Sequence, residues 1–203
     1  MSLEPLSSPP ENIQPAASGS GPLLERDYWA IIEDSHCKPS GVMEIVQARF
    51  CAFPPTDVVT FEQTGDPTRL DVGDELDIAI LLAGECRVRV IHRDACSLTL
   101  ATLQGHPEAG RITFGAYRNN SGDVIFQIRS RARSSSLVTY IGYLFGGDPM
   151  QTSTWTTFVD NVAKTCGQGV RGDVHASTTP IAEDEWLDGD RTMDCPTFIA
   201  TGD

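Results

Sequence analysis

The stretch DPMQTSTWTTFVDNVAKTCG, residues 148–167, is the best-specified element of the sequence. Asp148 suits a helix N-cap, Pro149 suits the first helical position, and Gln151 completes a capping box. Gly167 is typical of the position that follows a helix C terminus. The apolar residues between these signals recur every three or four positions, as on one face of a helix. They are Trp155, Phe158, Val159, Val162, Ala163 and Cys166. The stretch therefore predicts a long amphipathic helix.

A series of short segments before this helix predicts β-strands, because the segments are rich in β-branched and aromatic residues and are separated by turn residues. An apolar helical pattern from Val42 to Phe50 follows the first segment and ends at Phe53-Pro54-Pro55. Short turns between neighbouring strands favour an antiparallel meander over a parallel sheet. Residues 136–145 are apolar and fit either a helix or a strand. The predicted strands cover residues 27–35, 57–63, 75–83, 85–93, 97–103, 110–117 and 123–132.

Composition divides the 203 residues into three parts. Residues 1–25 are rich in Pro, Ser and Gly and have no hydrophobic period, so they predict a mobile arm. Residues 26–170 predict one globular domain. Residues 171–203 carry eight carboxylates against two arginines and predict an acidic tail.

The charge balance argues against nucleic-acid binding, because 28 acidic residues outnumber 15 basic ones. The nearest approach to a basic cluster is Arg129, Arg131 and Arg133, which at strand spacing predict a solvated sheet face. No apolar run is long enough to span a bilayer, and no secretory signal precedes the domain. We therefore expect a cytoplasmic protein.

Two segments resemble a known family. ATLQGHPEAGRITF, residues 101–114, and GDVIFQIRSRARSSSLVTYIGY, residues 122–143, resemble the pattern of the family named domain of unknown function 1990. The Phe-Pro-Pro at residues 53–55 is also similar to that family, and the resemblance covers about residues 27–166. The order of the predicted elements is that of the START-like, helix-grip superfamily.

This resemblance implies an α+β, helix-grip fold in which a curved antiparallel sheet wraps around a long C-terminal helix. It also implies a cavity between the sheet and that helix. It implies no particular reaction.

The loop Gly105-His106-Pro107-Glu108-Ala109-Gly110 has two interpretations. In the first, His106 is a general base or hydrogen-bond donor at the cavity mouth, and Glu108 orients it. In the second, the glycines and Pro107 set the backbone conformation, and His106 bonds the backbone to hold the turn.

Further side chains are candidates for contact with a ligand. Strand alternation from Val88 and Val90 points His92 into the cavity. The aromatic stripe of the last helix forms both core and cavity lid, and tyrosines at 140 and 143 offer hydroxyls to an apolar lining. The candidate ligand-binding residues are His92, Thr102, His106, Tyr140, Tyr143, Trp155, Phe158 and Val162.

Three functions remain open. The favoured hypothesis is a module that binds a small apolar or amphipathic molecule. An enzyme of the cyclase, hydrolase or isomerase kind, using His106 and Glu108, is a less favoured hypothesis. The third is a non-catalytic interaction protein with a filled core.

The cysteine and histidine spacings predict no metal site, and no cofactor is expected. The oligomeric state is left open.

Overall fold

The computed structural model of the protein describes residues 12–64, 68–81, 84–136 and 147–182. Eight strands and two α-helices make up the described fold. In chain order they are β1 (Ser20–Ile32), α1 (Pro39–Arg49), β2 (Val59–Thr64), β3 (Glu75–Ile80), β4 (Gly84–Arg93), β5 (Ser97–Thr102), β6 (Glu108–Arg118), β7 (Val124–Ser134), α2 (Gly147–Cys166) and β8 (Val170–Pro180).

The strands form one antiparallel sheet in the order β2-β3-β4-β5-β6-β7-β1-β8. Strands β2 to β7 are the predicted meander, and β1 pairs with β7 so that the first strand continues the sheet after the last hairpin. Helix α2 packs on β1, β7 and β8, and α1 packs on β5, β6 and β7. The α+β fold, with a curved antiparallel sheet and a long C-terminal helix, is confirmed.

An aromatic cluster fills the space between the sheet and α2. Phe158 is fully buried on α2, and its ring centroid lies 5.3 Å from those of Phe50, Phe53 and Phe114. The ring of Phe126 on β7 stacks 6.1 Å away. Because each ring buries a large apolar area and contacts its neighbours edge-on, tilted or stacked, the cluster fixes the helix on the sheet.

The folded unit is larger at both ends than residues 26–170. Strand β1 begins at Ser20, and Ile13 forms a bridge with Leu103, so part of the predicted arm belongs to the fold. Part of the predicted acidic tail forms the edge strand β8, paired with β1. Most positions of β8 are exposed, so its sequence lacks the alternation that identifies a strand.

The end of α2 agrees with the prediction. The helix finishes at Cys166, and Gly167 follows where the chain passes the end of β1. A Cβ at Gly167 would lie 2.3 Å from the carbonyl oxygen of Glu33, so glycine is required by close packing.

In the described part of the chain, no helix is long and apolar enough to cross a membrane. Nearly all of the ambiguous segment at 136–145 lies outside the described residues.

Two glycines lie at the connection between β5 and β6, Gly105 within the loop and Gly110 near the start of β6. Gly105 has φ +93°, and the space around a Cβ there is open. Gly110 has φ +153°, and a Cβ there would lie 2.2 Å from the carbonyl oxygen of Arg131 on β7. Gly110 therefore allows β6 and β7 to approach at the start of their pairing.

We expect Gly110→Ala to lower the free energy of unfolding by about 1–3 kcal/mol more than Gly105→Ala. Both substitutions force an alanine to positive φ, which costs about 1–2 kcal/mol. Only Gly110→Ala also drives a methyl group into the backbone of β7. Urea denaturation of the two variants measures the difference, and equal losses would contradict the role given to the close approach.

Candidate functional site

A cavity lies beside the aromatic cluster, between the first turns of α2 and the inner face of the sheet. Its volume is about 110 Å³. Trp155 separates it from the packed core, with ring centroids 5.8 Å from Phe114 and 6.5 Å from Phe61. The wall is mainly apolar and includes Val59, Phe61, Ile78, Ile80, Val88, Leu100, Ile112, Ala132 and Trp155. The polar residues on it are Thr102, His106, Glu108, Arg111, Ser130, Gln151 and Thr154.

The loop between β5 and β6 forms one side of the cavity and is held by the N-terminal segment. The side-chain Nε2 of Gln14 donates to the carbonyl oxygens of His106 at 2.9 Å and Glu108 at 2.8 Å. The hydroxyl of Thr102 donates to the carbonyl of Gln14 at 3.0 Å and accepts from the amide of Gly110 at 3.0 Å. Gln14 therefore fixes the loop from within the predicted mobile arm.

The ring of His106 also stabilises this loop. Its Nδ1 lies 3.0 Å from the backbone nitrogen of Glu108 and 3.1 Å from the carbonyl oxygen of the same residue. That oxygen already accepts from Gln14, whereas the backbone N–H needs an acceptor. Nδ1 is therefore the acceptor, and the neutral imidazole carries its proton on Nε2.

Burial lowers the pKa of His106, although the nearby charge of Glu108 acts in the opposite direction. The imidazole is therefore neutral at neutral pH. With Nδ1 occupied and Nε2 protonated, His106 can donate a hydrogen bond into the cavity but has no free lone pair to accept a proton.

The carboxylate of Glu108 forms an ion pair with Arg26 rather than with His106. Oε1 of Glu108 lies 3.3 Å from a guanidinium nitrogen of Arg26, whose side chain is almost completely buried on the inner face of β1. Such a pair is maintained because removing one partner leaves an uncompensated buried charge. The pair adds no net charge beside the cavity.

Ser130 is the least satisfied polar group of the wall. It is 95% buried on β7, its neighbours across the sheet are Arg26 and Ile112, and its hydroxyl has no hydrogen-bond partner in the described part of the chain. By contrast, the hydroxyl of Thr102 forms hydrogen bonds with the backbone of Gln14 and Gly110. Buried hydroxyls are usually bonded, so an unpartnered one in a cavity wall indicates room for an external partner.

Arg111 also borders the cavity, but its strand position directs its side chain elsewhere. It pairs across the sheet with Ala101 and Arg131, on the face opposite to Ile112. Burial and the charge of Arg131 lower the pKa of Arg111 to about 10, so it remains charged at neutral pH. On this outer face Arg131 pairs with Glu25 at 2.6 Å, and Arg129 pairs with Asp27 at 3.3 Å.

The structure brings together only part of the predicted site. Thr102, His106, Glu108 and Trp155 lie on the cavity wall. Phe158 and Val162 are fully buried in the core and do not line the cavity, because they lie further along α2 behind Trp155. The tyrosines predicted at 140 and 143 lie outside the described residues.

The prediction that His92 points into the cavity is wrong. Val90 pairs with Leu100, whereas His92 pairs with Thr99, so a β-bulge at Ile91 shifts the alternation by one residue. His92 therefore lies on the opposite face from Leu100, and its Nε2 bonds the carboxylate of Asp94 at 3.1 Å. A bulge leaves no clear signal in a sequence of alternating residues.

Sequence reasoning missed Gln14, Arg26 and Ser130. Arg26 and Ser130 belong to strands but carry polar side chains at inward positions, a signal that is visible only when register is known. Gln14 lies in a segment without any hydrophobic period.

Across residues 12–64, 68–81, 84–136 and 147–182, no three His, Cys, Asp or Glu side chains are grouped so as to hold a metal ion.

Comparison with family sequence patterns matches residues 49–158 to "Domain of unknown function (DUF1990)", which is more than half of the chain. The chain belongs to the DUF1990 family. The resemblance inferred from the sequence is confirmed. None of the curated proteins compared with the sequence matches it.

Solved structures place this DUF1990 member in the helix-grip fold. Norcoclaurine synthase from Thalictrum flavum, as a point mutant with a transition-state analogue, has a TM-score of 0.51 and 12% identity, and covers 72% of this chain and 96% of its own. The same enzyme with dopamine and hydroxybenzaldehyde has a TM-score of 0.50, 12% identity and coverages of 81% and 95%. A hypothetical protein of Helicobacter pylori has a TM-score of 0.51, 7% identity and coverages of 82% and 98%.

We expect His106→Ala to lower the free energy of unfolding by about 1–3 kcal/mol, because the backbone N–H of Glu108 loses its acceptor. His106→Asn offers an amide oxygen near the same place and should cost less. Urea denaturation at pH 7.5 compares the two. An alanine variant as stable as wild type would contradict the structural role of the ring.

Wild type and His106→Asn together test the lowered pKa of His106. The unfolded state binds the proton more readily than the folded state, so the contribution of His106 is complete above about pH 6.5 and is lost as the pH falls. Wild type should therefore lose more stability than His106→Asn between pH 7.5 and 5.5. Identical losses would show that burial does not disfavour the charged ring.

Proposed function

We propose that this protein binds a small apolar or amphipathic molecule in the cavity between the sheet and the first turns of α2. The observation that carries the proposal is a cavity with mainly aliphatic and aromatic walls beside an otherwise packed core. Ligand sites are commonly apolar pockets with a few polar groups that fix orientation. The volume of about 110 Å³ is below the usual range for such pockets, which favours a small ligand or partial burial of a larger one.

The fold neighbours support the proposal at the level of architecture. The structure of norcoclaurine synthase described as a complex with dopamine and hydroxybenzaldehyde shares the fold at 12% identity. At that identity the neighbour says nothing about which molecule this chain would take. The support from this chain itself is the chemistry of its own walls.

The enzyme hypothesis has weaker support. His106 and Glu108 both border the cavity, but the ring is bonded to the backbone and the carboxylate pairs with Arg26. A general base needs a free lone pair directed at the substrate. The neutral ring with its proton on Nε2 is instead a hydrogen-bond donor, which is a binding role.

The binding hypothesis and the hypothesis of a filled interior predict different effects when a larger side chain is introduced on β4. Val88 and Val90 both face inward from β4 and are buried, but only Val88 lines the cavity. With an open cavity, a larger residue at 88 occupies empty space and a larger residue at 90 disturbs packed neighbours, whereas with a filled interior both disturb packed neighbours. Overpacking of a well-packed core typically costs about 1–3 kcal/mol.

We expect Val88→Phe to abolish ligand uptake with little loss of stability, and Val90→Leu to lose stability but retain the ligand. The measurement is native mass spectrometry of each purified protein, followed by organic extraction and by urea denaturation. A co-purifying apolar molecule that is absent from Val88→Phe supports the proposal. A clean apo mass for wild type, together with a large loss of stability in Val88→Phe, would contradict it and favour a filled interior.

A further inference from the structure

The polar groups of the cavity restrict the chemistry of its ligand. The apolar wall is interrupted at the end formed by β6 and β7: His106 lies in the loop before β6, Glu108 begins β6, and Ser130 on β7 pairs with Ile112, four residues along β6 from Glu108. The neighbouring strands position this end: Arg26 of β1 pairs with Ser130 across the sheet, and its guanidinium reaches Glu108. A ligand that fills the cavity meets these groups with its polar part.

The hydrogen-bonding capacity of this end is both donating and accepting. His106 presents an Nε2–H, because its Nδ1 is used by the backbone of Glu108. The carboxylate of Glu108 accepts, and with two oxygens it has capacity beyond its contact with Arg26. The hydroxyl of Ser130 is unpartnered in the described residues and can either donate or accept.

The charge at this end favours a neutral ligand. Glu108 is balanced by Arg26 at 3.3 Å, so among the residues that the structure describes neither an anion nor a cation finds an unpaired opposite charge there. A charged ligand would lose its hydration in an apolar cavity without compensation, which is costly. Arg111 does not change this balance, because its strand position directs it to the outer face with Arg131.

The size of the cavity limits the buried part of the ligand. An engineered apolar cavity of about 150 Å³ holds benzene. The cavity here, at about 110 Å³, therefore has room for a body no larger than about one ring. The smallest neutral group that both donates and accepts a hydrogen bond is a hydroxyl.

We propose that the cavity selects a neutral molecule that carries a hydroxyl group on an apolar body about the size of a single ring. The hydroxyl lies beside Ser130, and the body lies against Val88, Leu100 and Trp155. This inference rests on the proposed function, since it specifies the ligand of the same cavity.

Four probes of similar size separate the alternatives at pH 7: toluene, phenol, benzoate and benzylamine. They share one ring and differ in having no polar group, a neutral hydroxyl, a negative charge or a positive charge. Calorimetric titration of the full chain gives each dissociation constant. We expect phenol to bind about threefold to tenfold more tightly than toluene, the gain typical of one net hydrogen bond. Benzoate and benzylamine should bind more weakly than toluene.

The Ser130→Ala variant assigns the effect to this end of the cavity. It removes an unpartnered oxygen, so we expect wild-type stability, unchanged affinity for toluene and a reduced preference for phenol. Ser97→Ala is the matched control. It removes a buried serine hydroxyl that bonds Asp94 in the same sheet but outside the cavity, and it should leave the preference unchanged.

The outcomes distinguish the two proposals. If phenol and toluene bind equally, or if benzoate or benzylamine binds most tightly, the inference about the hydroxyl is wrong while the binding function stands. An unchanged phenol preference in Ser130→Ala would also overturn the assignment to this end. If no probe binds, and wild type has a clean apo mass while Val88→Phe loses much stability, the binding function itself fails.

Discussion

The packing of Phe158 against five other aromatic rings of the described residues is the interaction on which the rest of the structure depends. Its centroid lies within 6.1 Å of rings from the segment after α1, from β6, from β7 and from the preceding turn of α2. These contacts fix α2 across the curved sheet. They fill the centre of the space between helix and sheet and leave the end near the first turns of α2 unfilled. The cavity is thus a consequence of where the aromatic side chains stop.

A second constraint acts at the polar end of that space. Gln14, Thr102 and His106 bond the backbone where the loop before β6 enters that strand, and Glu108 at the start of β6 pairs with the buried Arg26. The loop is therefore both a corner and a wall of the cavity. The structural interpretation explains why His106 is held in one orientation. That orientation leaves the ring one N–H, on Nε2, and His106 lines the cavity, which links the two interpretations.

The sequence predicted α2, the meander and the family, because hydrophobic periods and turn residues are local signals. It also predicted that Thr102, His106 and Trp155 lie at the cavity. It failed where non-local pairing decides the outcome. The bulge at Ile91 turned His92 away, and the exposed edge strand β8 has no apolar alternation.

The central claim is that a small neutral molecule enters the cavity, and methyl NMR during a phenol titration tests it most directly. The methyl signals of Val88, Leu100 and Ile112, which line the cavity, should shift in a saturable manner. Those of Val46 and Leu98, which are buried in the core away from the cavity, should stay constant. Shifts confined to the exposed Val72 and Leu81, or no saturable shifts, would contradict the account.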